Sequence, residues 1–377
     1  MLQEVIRKPD RVMPVIQKFE RLDKLKQNLA DSSSVYRSLV YKYRSYRDGW
    51  SFPATMAHTT GYKMVTHNYE PEVTAQIQSI LRPGDHFLDI GANIGYYSML
   101  AAELSGGGSG SVLDPGSGTS SGMYSGTSLG TSSGMYSGTS SGMYSGTHSG
   151  STPDSGNRTG TGVGSTGEIG TGLDTGGRQI AVEMEPENYQ CLNENLSSHP
   201  TATPLHCAVS DTCGTITFHR SLHSSCHSLH DTDNLLDRLA AEKEQVRCVT
   251  VDHIWQEHFG GEPIKLMKMD VEGAELQALQ GGEEAFSSGA IEHIIVEYCP
   301  RAMQNAGQDT HQLYQLLSEW FQFGVMENVP GFGNQDAPLD APLQISDFDQ
   351  LTDLLLSTPG IANCNFYGTS LIKPTKN

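Results

Sequence analysis

Twelve residues, His86 to Tyr97, reading HFLDIGANIGYY, constrain the fold of this chain more than any others. A short apolar run, Phe87-Leu88, meets an acid at Asp89. The turn Gly91-Ala92-Asn93-Ile94-Gly95 then leads into a helical pattern from Tyr96 to Leu104. A strand, a glycine-bearing turn and a helix in this order put the turn at the C-terminal edge of a parallel sheet, where α/β proteins hold nucleotide-like ligands.

The turn itself narrows the choice of ligand. A dinucleotide turn, G-x-G-x-x-G, brings backbone N–H groups and a helix N-terminus onto a pyrophosphate. Here Gly91 and Gly95 are four residues apart with Asn93 between them, and the anionic Asp89 stands beside the loop. An acid there repels phosphate and attracts a sulfonium or an ammonium, which makes S-adenosylmethionine the better guest.

The next acid in the pattern is displaced by a long biased segment. Residues 105–177 are almost all Gly, Ser and Thr, with the near repeat TSSGMYSG at 119, 131 and 139. Such a segment cannot bury enough apolar surface to offset the entropy of ordering it, so a disordered, flexible insert is expected. It falls in a helix-to-strand connection, which leaves a parallel sheet at the end opposite the ligand, so it is expected to be dispensable for catalysis. Beyond it, Gln179-Ile-Ala-Val-Glu-Met184 reads as the second strand, ending at Glu185-Pro186. Asp89 and Glu185 are 96 residues apart, and removing the 73-residue insert leaves 23. That is close to the ~20 residues expected between a cofactor turn and the acid that accepts from both ribose hydroxyls. The domain plan is a helical N-terminal extension over 1–60 and one α/β domain over 61–377, interrupted by the insert.

Charge limits the partners. The formal net charge is −19, but residues 1–50 hold eleven Lys and Arg against six Asp and Glu. An acidic body argues against nucleic acid and anionic membranes as general partners. The basic extension reads as the solvated face of an amphipathic helix, and contact with an acidic protein partner is the alternative. No stretch reaches the ~20 apolar residues of a membrane span. Seven cysteines without a C-x-x-C pair suggest reduced thiols and a cytoplasmic setting.

Further strands are expected at Pro204–Val209, Gly214–His219, Val246–Asp252, Ile264–Asp270, Ile291–Tyr298 and Asn365–Ile372, with helices over 71–81, 187–196, 274–279, 311–323 and 346–356. His219, His223, Cys226, His227 and His230 cluster between two of the strands. They lack a ligand-spacing signature, so a polar loop is expected there and no metal is assigned. In Ile264–Glu275 an apolar strand ends at Asp270 and Glu272-Gly273 starts a helix, which points alternate acids into the crevice of the first turn.

Three stretches, FLDIGANIGYYS, AVEMEPENY and IKLMKMDVEGAELQALQGG, followed by IIVEYCP, together resemble the FkbM family of S-adenosylmethionine-dependent methyltransferases. The resemblance covers roughly 71–104 and 178–300. It implies a class I, Rossmann-like sheet of seven mostly parallel strands flanked by helices, with the last strand antiparallel. It also implies O-methylation of a hydroxyl on a sugar, lipid or natural product. Cofactor contacts are then expected at Asp89, Gly91, Asn93, Gly95 and Glu185, with backbone near Ala208 and Val209 meeting the adenine. Asp270 and Glu272 are expected to face the transferred methyl. Methyl transfer is an in-line displacement, and an alcohol acceptor must also lose a proton. Asp270 is the first candidate base, Glu272 the second and Glu297 the third. A catalytically idle cofactor-binding module and an NAD-dependent dehydrogenase are the competing readings.

Overall fold

A computed structural model describes residues 41, 42, 44, 45, 48–53, 56, 58–106, 176–219, 243–327, 329–332, 343–358 and 363–373. Contacts divide the chain into one unit of Met1–Gly110 with Thr175–Asn377 and another of Ser111–Asp174, which lies outside the described residues. Most of the helical extension, nearly all of the expected disordered insert, and the cluster His223–His230 also fall outside them.

The strands are β1 (Phe87–Ile90), β2 (Gln179–Glu183), β3 (Ala202–His206), β4 (Ala208–Val209), β5 (Gly214–His219), β6 (Lys243–Val249), β7 (Ile264–Met269), β8 (Ile291–Tyr298), β9 (Phe321–Val325), β10 (Leu343–Gln344) and β11 (Cys364–Ser370). The main sheet runs β3-β2-β1-β7-β8-β11-β9-β10. The first five of these strands are mutually parallel, while β11 is antiparallel to both β8 and β9. This is the expected Rossmann-like α/β sheet, enlarged to eight strands by the two-residue β10 on β9. β1 and β2 are buried along their whole length, as strands covered on both faces must be.

The helices that matter for the site follow the sheet order. They are α1 (His58–Val65), α2 (Pro71–Ile80), α3 (Tyr96–Ser105), α4 (Pro186–Leu196), α5 (Val251–Phe259) and α6 (Glu275–Gln280). Helix α2 buries Val73, Ile77 and Ile80, the spacing that predicts it. Near the N-terminus, Trp50 stacks on Phe52, and Asn195 of α4 holds Ser51 through both its backbone N–H and its carbonyl. That part of the extension packs on the domain, whereas most of the expected amphipathic helix lies outside the described residues.

Three local expectations are corrected. The strand expected over 204–209 breaks at Cys207: β3 stays in the main sheet, and β4 crosses to a second sheet of order β4-β6-β5. The strand expected to run to Asp252 ends at Val249, where the Thr250 side chain accepts from His253 N–H and caps α5. The helix expected through 323 ends at Trp320, because Phe321–Val325 pairs with β11. Phe321 and Phe323, two residues apart, follow the period of a strand, and pairing with β11 fixes it.

The two ends of the insert meet. Gly177 N–H donates to Ser105 O at 3.1 Å, at the N-terminal ends of the strands and away from the site described next.

Candidate active site

A cavity of about 260 Å³ opens at the C-terminal ends of β1, β2 and β7. It is lined from the strand ends by Ile90, Glu183, Lys268, Asp270 and Glu297, from β4 by Ala208 and Val209, and from the turns by Gly91, Asn93, Met184 and Glu272. Tyr69, Glu70, Tyr96 and Tyr97 close its other side. Three lining residues that are not glycine hold positive φ: Glu70 at 38°, Asn93 at 52° and Glu272 at 51°. Left-handed backbone costs on the order of 1–3 kcal/mol for such residues, and its concentration around one cavity marks a functional site.

The first turn is shaped by close approach. Gly91, at φ +78°, has the Asp270 carbonyl where a Cβ would be, so no larger residue fits between β1 and β7. Gly95 takes φ +89° as the N-cap of α3 and lies against Leu192, outside the cavity lining. The amides of this turn are already engaged. Gly91 and Ala92 N–H donate to Val182 O at 3.0 and 2.9 Å, Gly95 N–H donates to Ala92 O at 2.8 Å, and Asn93 N–H donates to Glu183 Oε2 at 2.9 Å.

Asp89 does not stand at the mouth of the loop. It is fully buried inside β1, accepts from Ser98 Oγ at 2.6 Å, and is not part of the cavity lining. Burial raises its carboxyl pKa above the ordinary value, although neighbouring Lys268 acts in the other direction.

At the end of β2 the structure separates two acids. Glu185 is 1% exposed and caps α4 by accepting from Asn188 N–H at 2.7 Å. Glu183 is the acid that lines the cavity. Its two oxygens accept from Asn93 and Glu185 N–H, and burial pushes its pKa up to about 8. The 23-residue interval therefore falls on a structural cap two residues past the cavity acid. Glu183 carries the same strand-end signal, since it closes the apolar run of β2.

The end of β7 concentrates charge. Lys268 is 3% exposed and places Nζ 3.0 Å from Asp270 Oδ2 and 5.3 Å from the centre of the Tyr97 ring. Burial works against its charge, but Asp270, Asp89 and Glu70 outweigh burial and keep the ammonium protonated above its ordinary range. Glu272 and Glu297 are both raised well above the usual carboxylate range, first by burial and then by the Asp270 charge. Glu275 sits behind the turn and holds it by accepting from Val271 and Gly273 N–H at 3.1 and 3.2 Å. On the facing side Tyr97 Oη donates to Glu70 Oε2 at 2.7 Å.

Of the residues expected from sequence, the cavity gathers Gly91, Asn93, Ala208, Val209, Asp270, Glu272 and Glu297; Asp89, Gly95 and Glu185 lie outside its lining. It adds Lys268, Glu183, Tyr69, Glu70 and Tyr97. Lys268 was visible as the first residue of K-x-D-x-E-G, whereas Tyr69 and Glu70 carry no local signal, because the chain reaches the site there only through folding.

Comparison with known proteins gives one family match. Residues 169–322 match the methyltransferase FkbM domain, a span that begins after β1 and contains β2 to α6. Curated proteins gave no match. Among solved structures, an O-methyltransferase from Bacillus cereus in complex with SAH is 11% identical, covers 94% of this chain and 97% of its own, and has a TM-score of 0.32. A SAM-dependent O-methyltransferase from Thermotoga maritima is 9% identical over 82% and 68% of the two chains, with a TM-score of 0.32. Fibrillarin from Aeropyrum pernix, with natively bound S-adenosyl-L-methionine, is 8% identical over 79% and 73%, with a TM-score of 0.31. At these scores the likeness assigns nothing to this chain. Residues 169–322 are similar to the methyltransferase FkbM domain, the family that the sequence motifs resemble.

Proposed function

We propose that this chain is an S-adenosylmethionine-dependent methyltransferase that transfers the methyl group to a hydroxyl oxygen of a small-molecule, glycan or lipid acceptor. The acids of the cavity carry the reading: its lining holds Glu70, Glu183, Asp270, Glu272 and Glu297 against Lys268 alone, and although burial raises Glu183, Glu272 and Glu297, a bound cation favours their charged forms. That excess suits a cofactor bearing a sulfonium and an ammonium and opposes a pyrophosphate. The engaged amides of the 91–95 turn support the same choice, because four of its five N–H groups already donate within the protein. An NAD-dependent dehydrogenase is disfavoured on both counts.

S-adenosylmethionine, when bound, supplies an electrophilic methyl group. Glu183 is assigned to the ribose hydroxyls, since a carboxylate at the end of β2 accepts from two vicinal donors. Ala208 and Val209, buried at the mouth of the second sheet, supply an apolar wall for the adenine. Asp270 receives the acceptor's proton or orients its hydroxyl, and Lys268 fixes the carboxylate that does so.

Calorimetric titration with S-adenosylmethionine, combined with mass spectrometry for a methylated product in cell extract, tests the proposal. Saturable binding with turnover is expected. Binding without any product would favour an idle cofactor module, and NADH binding in place of S-adenosylmethionine would overturn the reading.

A further inference from the structure

We infer that Asn195 of α4 is a positioning residue for the first turn, and that through it the N-terminal segment 50–53 acts as a strap whose docking is coupled to cofactor binding. One carboxamide joins the two. Asn195 Nδ2 donates to Ile94 O inside the turn at 2.8 Å and to Ser51 O at 3.0 Å, while its Oδ1 accepts from Ser51 N–H at 2.7 Å. An amide turned end for end would meet Ser51 N–H with another N–H, so Ser51 fixes its orientation. Asn195 is 8% exposed and does not line the cavity, so it acts on a ligand only through the turn.

The same segment reaches the cavity by a second route. Trp50 packs on the buried cluster of Ala92, Met99, Leu192 and Leu196, which joins the turn to α3 and α4. Its ring lies 6.1 Å from that of Tyr96, and the Tyr96 ring lies 5.4 Å from Tyr69 and 5.1 Å from Tyr97. All three tyrosines line the cavity. Ser51 Oγ also donates to Glu194 Oε2 at 2.6 Å, which adds a further grip on α4. The strap therefore holds two walls of the cavity, the turn by hydrogen bonds and the tyrosines by ring packing. Undocking it strips the Asn195 carboxamide of its bonds to Ser51, and its hold on Ile94 loses the orientation those bonds set.

Residues 50–53 do not themselves line the cavity, so the coupling runs through the turn and the tyrosine wall. It is also reciprocal: a ligand that favours the ordered turn favours the docked strap, and the docked strap strengthens binding by the same factor. The ligand rests on the methyl-transfer reading, whereas the tie between strap and turn does not.

Hydrogen exchange of the full-length protein, read by mass spectrometry with and without saturating S-adenosylmethionine, tests the coupling. In the wild type the cofactor should slow exchange about threefold or more both at 91–95 and at 49–53. Asn195→Ala should still bind the cofactor, with the calorimetric Kd raised about tenfold, and should keep the slowing at 91–95 while losing it at 49–53. Exchange in β8 should be the same in both proteins, which separates lost coupling from general loosening. Gln190→Ala, on the same helix and bonded to Glu194, should leave the Kd and both segments within about twofold. Asn195→Asp keeps the acceptor for Ser51 N–H and loses both donors, and it replaces Asn195→Ala if circular dichroism shows that variant unfolded. No slowing at 49–53 in the wild type, or slowing that persists in the Asn195 variant, would overturn the coupling. If the wild type binds no S-adenosylmethionine, the methyl-transfer reading falls and the tie is judged in ligand-free protein. There Asn195→Asp should speed exchange at 91–95 about fivefold or more, and an unchanged rate would overturn the tie as well.

Discussion

The turns after β1 and β7 look alike in sequence, each with an acid near a glycine at a strand end, but they do opposite things with their acids. Asp89 lies inside β1, with its carboxylate sealed against Ser98. Asp270 lies one residue beyond the end of β7, with its carboxylate in the cavity beside Lys268. The same contrast separates Glu183, the last residue of β2, from Glu185 on the helix cap. Side chains alternate across a strand and the cavity opens beyond its end, so a shift of one or two residues decides between an acid buried in the sheet and an acid in the lining. One turn keeps its acid inside the sheet and the other turns its acid into the cavity.

The largest expected effect tests the presenting turn. Asp270→Ala should lower kcat/KM about a thousandfold or more while leaving the S-adenosylmethionine Kd within a few-fold, measured by steady-state assay and calorimetry. Complete loss of cofactor binding would instead make Asp270 a cofactor ligand. Next, Glu183→Gln should weaken cofactor binding about tenfold, whereas Asp89→Asn should change it by less than about threefold. Equal losses would erase the distinction between lining and buttress.

A smaller effect concerns pH. Glu183 is raised from 4.5 to about 8 and Glu275 from 4.5 to about 7, both chiefly by burial. A carboxyl raised on folding stabilises the protein most below its unfolded pKa, and that contribution is lost as pH rises through the folded value. The urea midpoint of the ligand-free protein should therefore fall between about pH 5 and about pH 8, and Glu183→Gln should flatten that slope. The smallest effect is expected from the insert. Ser105 and Gly177 are joined by a hydrogen bond at 3.1 Å, so replacing 107–175 with a short Gly-Ser linker should leave the thermal midpoint nearly unchanged and kcat/KM within about twofold. A large loss of activity would give the insert a role at the site.

By itself the sequence determined the strand-turn-helix unit at 86–97, the helix at 71–81, which the structure ends one residue earlier, the charged strand end at 268–272 and the family resemblance. These are set by local periodicity, by glycines at positive φ and by contiguous motifs, all of which act within a few residues. It also pointed to S-adenosylmethionine through Asp89, a premise the structure removes by burying that acid inside β1, and the proposed cofactor rests instead on the cavity acids and the engaged turn amides.

Only the tertiary structure decided which acids line the cavity. It placed Glu183 in the lining and Glu185 on the cap of α4, where it accepts from Asn188 N–H. It turned Phe321–Val325 into a strand because β11 lay ready to pair with it. It brought Tyr69 and Glu70 across to Tyr97 and Lys268, and Glu297 to within 4.8 Å of Asp270 and Glu272. Contacts between residues this far apart in the chain leave no local pattern, because they arise where the sheet order sets strand ends side by side.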